Sequence, residues 1–142
     1  MPLSPDGMYM MNGMKHKDLT ERIIGCAYQV YNKLGYGFLE SVYEKCLLIE
    51  LRKSGLAAEA QTTITVHYDG EIVGVFAADI LVEHNVILEL KSVRQIAKVH
   101  EVQLVNYLVA TGKDVGLLIN FGEQGVEVKR KVRELPSGHN KS

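Results

Sequence analysis

Apolar residues recur at three- and four-residue intervals after Asp18, at Leu19, Ile23, Ala27, Val30 or Tyr31, and Leu34. This marks one face of an amphipathic helix that Gly35 stops. After a tight Gly-Tyr-Gly connection the spacing returns at Leu39, Val42, Tyr43, Cys46, Leu47 and Leu51. Ser54-Gly55 closes this second helix, which carries Glu40 in its first turn. The period then shortens to two. TTITVHY, a turn at Asp69-Gly70 and EIVGVFAADILV read as a β-hairpin, and VILELKSV follows as a third strand after Glu83-His84-Asn85. A helix from about Val99 to Thr111, capped by Gly112, precedes two closing strands, VGLLINF and VEVKRKV. The order is helix, helix, three strands, helix, two strands, without internal repeat. Amphipathic helices need a partner face, so the pattern predicts an α/β domain with helices packed on a sheet.

Composition narrows this little. The chain has 142 residues, 46% hydrophobic and 23% charged, enough for one globular domain with a real core. Residues 1–16, rich in Met, Gly and Pro, are expected to form a flexible N-terminal segment, and 136–142 a flexible tail. Residues 17–135 are left as a single domain. No run of eighteen apolar residues and no apolar signal core is present, so neither a membrane span nor secretion is expected, and the chain reads as soluble and cytoplasmic. Cys26 and Cys46 lie in helical apolar patterns without CxxC or histidine at ligand spacing, and read as small core residues. The formal net charge of -1 gives no global attraction for nucleic acid. Locally, Lys129, Arg130, Lys131 and Arg133 form either a phosphate-neutralising edge or a solvated edge strand whose charges discourage aggregation.

The chemistry concentrates in DILVEHNVILELK, Asp79 to Lys91. Glu89 and Lys91 project from the same side of a strand. A three-residue loop at Glu83-His84-Asn85 would pair Val82 with Val86 and set Asp79 opposite Glu89, whereas a two-residue turn at His84-Asn85 would set it opposite Leu90. Facing carboxylates repel unless one is protonated, both are solvated, or a cation lies between them. Carboxylate oxygens suit hard divalent cations such as Mg2+. Lys91 beside them could orient or help deprotonate a water, or neutralise charge on a phosphoryl oxygen. The alternative is an ordinary cross-strand ion-pair cluster on a solvated face. Against it stand the apolar residues on both alternations (Val75, Phe76, Ala77, Ile80, Leu81, Val86, Ile87), which suggest strands buried on both sides.

Asp79 followed by Glu89-Leu90-Lys91 resembles the D...(D/E)-x-K signature of the PD-(D/E)XK nuclease superfamily, and Gln103 with Tyr107 resembles its Q-x-x-x-Y element. The segment Gly37-Phe38-Leu39-Glu40-Ser41-Val42-Tyr43 is similar to the signature of the GxxExxY protein family within that superfamily, as is HEVQLVNYLVATGKDVGLLINFG. The resemblance spans about Asp18 to Val132. It implies a restriction-endonuclease-like core, a mixed central β-sheet flanked by α-helices. It also implies Asp79, Glu89 and Glu40 as metal-binding carboxylates for Mg2+, with Mn2+ as an alternative. Lys91, Glu89, Asp79, Gln103 and Tyr107 would then form the catalytic group. Ala78 stands where the superfamily name calls for proline. Gln103 and Tyr107, one helical turn apart, share a face, and the other reading of them is a polar helix edge with a half-buried tyrosine. Glu40 also suits a helix N-terminus whatever else it does, and Tyr43 falls in the apolar stripe and should be core. His100, one turn before Gln103, could face the same cleft; His84 should lie in the loop and His67 in solvent.

These expectations point to a Mg2+-dependent nuclease acting on DNA or RNA. The rival is a catalytically silent module that keeps the fold and binds nucleic acid or protein. A homodimer, pairing through the edge strand near Val126 to Val132, is compatible with either.

Overall fold

A computed structural model describes residues 16–133. The expected N-terminal segment, except for His16, and the expected tail lie outside the described residues. Among those described, the chain forms α1 (Lys17–Leu34), α2 (Glu40–Lys53), β1 (Ala58–Tyr68), β2 (Glu71–Val82), β3 (Val86–Lys91), α3 (Lys98–Thr111), β4 (Val115–Gly122) and β5 (Gly125–Val132). The strands make one mixed sheet in the order β1-β2-β3-β4-β5. Only β3 and β4 pair in parallel, and the connection between them is α3. The expected α/β fold with a mixed central sheet and flanking helices is what the chain adopts. None of the helices among the described residues is long and apolar enough to cross a membrane.

Two cores sandwich the sheet. On one face, Ile23, Ala27 and Val30 of α1 and Tyr43, Leu47 and Leu51 of α2 pack on Leu88, Leu90, Leu117, Ile119 and Phe121. On the other, Leu104, Tyr107 and Leu108 of α3 cover Ile64, Ile87 and Leu118. All eight residues of β4 are buried, as a central strand covered on both faces requires. Cys26 is buried, Cys46 partly so, and both are free thiols.

Turn chemistry sets the registers. Asp69 and Gly70 both have positive φ, 51° and 81°, as a tight hairpin turn demands. The three-residue loop at Glu83-His84-Asn85 pairs Val82 with Val86, Leu81 with Ile87 and Ile80 with Leu88.

One burial expectation is corrected. Val75, Phe76 and Ala77 are exposed rather than covered on both sides. The β1–β2 hairpin is eleven to twelve residues long, whereas β3 has six, so the distal part of β2 has no strand beyond it.

The Gly-Tyr-Gly connection is fastened from inside. Tyr43 is fully buried and stacks on Phe121 with ring centroids 4.4 Å apart. Its hydroxyl donates to the Gly35 carbonyl at 2.5 Å and accepts from the Phe38 N–H at 3.4 Å. Gly37 has φ 112°, which side chains rarely tolerate. The G-x-x-E-x-x-Y spacing thus has a local purpose: glycine for the bend, tyrosine to pin it, and Glu40 at the start of α2 between them. A Tyr43→Phe variant keeps the stacking and loses both hydrogen bonds. Denaturant unfolding should show a loss of about 1–3 kcal/mol.

Candidate active site at the opening of the β2–β3 ladder

The backbone ladder between β2 and β3 stops at Ile80 and Leu88, one pair short of Asp79 and Glu89. Side chains take its place. The Asp79 N–H donates to Glu89 Oε2 at 3.2 Å, and the Leu90 N–H donates to Asp79 Oδ2 at 2.7 Å. The two carboxylates therefore sit between diverging strands, each anchored to the opposite backbone.

On β1, Gln61 lies between the pairs Ala60–Ile80 and Thr62–Ala78 and has φ 54°, a left-handed conformation unusual for a non-glycine residue inside a strand. Alternation reverses here. Ala58, Ile80 and Val82 belong to the α1/α2 core, whereas Ile64, Ala78 and Leu81 belong to the α3 core. Even-numbered residues thus change faces on both strands of the hairpin at Gln61 and Asp79. The site is built on a matched kink.

Gln61 bridges outward from this kink. Its Nε2 donates to Glu44 Oε1 at 3.0 Å, and its amide favours the charged form of Asp79. Glu44 lies one turn after Glu40 on α2, so both acids share a helix face. Neither Gln61 nor Glu44 is apparent from motif spacing. The (i, i+4) relation of Glu44 to Glu40 was the available signal, while nothing in the residue type marks Gln61 as left-handed.

Electrostatics group the candidates. Burial, reinforced by the Asp79 charge, pushes the Glu89 carboxyl up to about 8. Glu40 adds to the rise, and the Asp79 N–H and Lys91 oppose it. Asp79 is also raised, by burial first and by Glu40, against the Leu90 N–H, Lys91 and Gln61. Burial and then Asp79 raise Glu44. Burial raises the Tyr107 hydroxyl, with Glu89 and Asp79 adding to it. Glu40, Lys91 and Tyr107 thus each interact electrostatically with the Asp79–Glu89 pair. Gln103 is exposed and lines a groove beside Tyr107.

Lys91 pairs in the ladder with Asn120, a buried polar residue in an otherwise apolar strand. Asn120 accepts from the Val93 N–H and donates to the Val93 carbonyl, both at 2.9 Å, and so fixes the chain just beyond Lys91. Ser92 donates to the Phe38 carbonyl at 3.0 Å, tying the same segment to the loop before α2. An isolated Asn in VGLLINF was the sequence signal for this clamp.

Two expectations change. His100 does not turn to the cleft: its Nδ1 accepts the Ala97 N–H at 3.1 Å, making it part of the N-terminal cap of α3. The basic edge is partly neutralised within the chain, since Lys131 pairs with Glu101 at 3.1 Å and Arg133 with Asp114 at 2.8 Å. His67 and His84 are exposed, as expected.

Among the described residues no group of three or more His, Cys, Asp or Glu side chains is arranged to enclose a metal ion. Asp79 and Glu89 supply two hard oxygen donors. That set fits Mg2+, which keeps several waters and is commonly bound through one or two carboxylates and a substrate phosphate. It would not suit a closed zinc site, which uses nitrogen and sulfur ligands.

The pKa directions have a consequence for stability. A carboxyl raised in the folded state stabilises the fold below its unfolded pKa, and that contribution is lost as pH rises through the folded value. For Glu89 the window runs from the ordinary value of 4.5 to about 8. Metal-free protein should lose stability across this window at on the order of 1 kcal/mol per pH unit. Thermal melts at several pH values should show a flatter profile for Glu89→Gln; a profile as steep as that of the unsubstituted chain would count against this burial.

Residues 17–133 match the family model described as the PD-(D/E)XK nuclease superfamily. A search of curated proteins finds no match. Among solved structures, the chain is similar to the protein SSO0001, with 15% identity and a TM-score of 0.55 over 94% of this chain and 73% of that one. It is also similar to an alkaline exonuclease (LHK-Exo) from Laribacter hongkongensis, with 11% identity and a TM-score of 0.49 over 88% and 77%. The family match spans most of the chain and includes every residue of the kink, the carboxylate pair and Lys91, and the chain belongs to the PD-(D/E)XK nuclease superfamily.

Proposed function

We infer that the protein is a Mg2+-dependent nuclease that hydrolyses phosphodiester bonds of DNA or RNA, with Mn2+ able to substitute. The observation that carries this reading is the opened ladder, where two carboxylates replace backbone hydrogen bonds next to a lysine. Within the superfamily, Gly37, Glu40 and Tyr43 support membership of the GxxExxY branch, because each has a structural use at that spacing.

Asp79 and Glu89 would hold the cation, with Glu40 as a further carboxylate at the cleft. A bound divalent ion supplies charge neutralisation at the phosphate and acidifies a nearby water. Lys91 then orients the attacking water or balances negative charge growing on the phosphoryl oxygen, a stabilisation worth more in a partly desolvated cleft than in water. The Tyr107 hydroxyl, kept protonated by its surroundings, can donate to a phosphate oxygen or position that water. Gln103 orients the substrate from the exposed flank.

Incubation with single-stranded and duplex DNA and RNA should show cleavage that needs Mg2+ and stops on chelation. Lys91→Ala should lower the rate by roughly 100-fold or more while leaving the fold intact. Undiminished cleavage by that variant would contradict the assignment.

The intramolecular pairing of Lys131 and Arg133 favours a second reading, since it leaves less positive charge to grip a long polyanion. In that reading the fold is a catalytically silent module for nucleic acid or protein. Binding unchanged by Asp79→Ala, without turnover in any divalent ion, would identify it. A homodimer joined through the β5 edge is compatible with both.

A further inference from the structure

We propose that the groove between the β1–β2 hairpin and α3 is a subsite for one unpaired base of the nucleic-acid substrate, held beside the carboxylate centre. The inference rests on the nuclease reading and narrows its substrate class to single-stranded or locally unpaired nucleic acid.

Size is the first argument. The groove, half open to solvent, offers about 600 Å³ between Val66 and His67 of β1, Phe76 of β2, and Gln103, Asn106 and Tyr107 of α3. That is the scale of a small-molecule site. A duplex or a partner helix does not enter a space of this size, whereas a base with its sugar does.

Lining chemistry is the second. Among the described residues, no Lys, Arg, Asp or Glu lines the groove. A phosphate would find no countercharge there. Gln103 and Asn106 each present donors and an acceptor, and the His67 imidazole adds one more of each when neutral. Uncharged groups of mixed donor and acceptor character above an apolar floor match a nucleobase, which is planar, uncharged and hydrogen-bonding only at its edges.

Phe76 supplies the stacking surface. Phe76 is 46% exposed, outside the core. It leans on Tyr107 at a centroid distance of 5.8 Å and an angle of 37°, so the ring is backed on one side and open on another. Gly74 makes room for it, because a Cβ there would come within 2.9 Å of the Phe76 Cε2. Exposed aromatics of this kind stack unpaired bases with little regard to sequence. In a duplex the base faces are already stacked, so only an unpaired or extruded base can use the groove.

Continuity with the reaction centre completes the case. Tyr107 lines the groove and packs on Phe76, which lies on β2 together with Asp79, and the Tyr107 hydroxyl also feels the charges of Glu89 and Asp79. A base on Phe76 and a phosphate at the carboxylates can therefore belong to neighbouring positions of one strand.

The test separates binding from chemistry. Fluorescence anisotropy in EDTA would compare a short single-stranded oligonucleotide, an abasic strand of the same length and charge, and the corresponding duplex, using wild type, Phe76→Ala and Phe76→Trp. Wild type should bind the base-containing strand roughly tenfold more tightly than the abasic one. Phe76→Ala should abolish that preference and Phe76→Trp should keep it; the exposed position makes both compatible with folding, which thermal melts would verify. Equal binding of base-containing and abasic strands, or tighter binding of the duplex, overturns the subsite. Where Mg2+-dependent cleavage is nevertheless present, the nuclease reading stands without it. Absence of both nucleic-acid binding and cleavage overturns the two together.

Discussion

Two carboxylates, the partly buried Asp79 and the buried Glu89, replace the backbone hydrogen bonds that would otherwise close the β2–β3 ladder, and they repel one another. Much of the surrounding architecture follows from keeping this arrangement in place. The β2–β3 ladder ends at this level, where the paired irregularity at Gln61 and Asp79 reverses the side-chain alternation on β1 and β2. Each carboxylate then accepts a backbone N–H, enough to fix its position but not enough to offset its desolvation. Lys91 is the nearby cation that lowers both pKa values without cancelling the rise.

The two cores hold the opened edge rigid from opposite sides. The α1/α2 core buries Leu88 and Leu90, the residues flanking Glu89, so the acid has no freedom to rotate with its strand. The α3 core brings Tyr107 over the other face. Beyond Lys91, Asn120 and Ser92 fasten the chain to β4 and to the loop before α2. That loop, pinned by Tyr43, leads into α2, whose first residue, Glu40, adds to the rise of both carboxyls. Stability and site geometry are here the same set of contacts.

Much of this was legible in the residues. The Asp-Gly turn marked the first hairpin, and the residues Glu83-His84-Asn85 narrowed the second register to two alternatives, of which the three-residue loop is the one formed. Helix boundaries followed from apolar spacing and from Gly35, Gly55 and Gly112. The acids and Lys91 stood out because charged residues are costly in apolar strands. What stayed hidden depends on three-dimensional context. A left-handed Gln61 has no marker in its residue type. The exposure of Val75, Phe76 and Ala77 reflects the unequal lengths of β2 and β3, which alternation alone does not reveal. His100 shares its helix with Gln103 and Tyr107, yet its ring turns back to cap that helix. The same failure of the burial expectation exposes the Phe76 ring that forms the wall of the groove.

In the proposed function, the carboxylate pair holds a divalent cation. Anomalous diffraction from crystals soaked in Mn2+ tests it without reference to turnover. The account predicts a peak in contact with carboxylate oxygens of both Asp79 and Glu89, lost in Glu89→Gln. A fully soaked crystal with no peak between these side chains, Asp79 still accepting the Leu90 N–H and Glu89 the Asp79 N–H, would rule that role out.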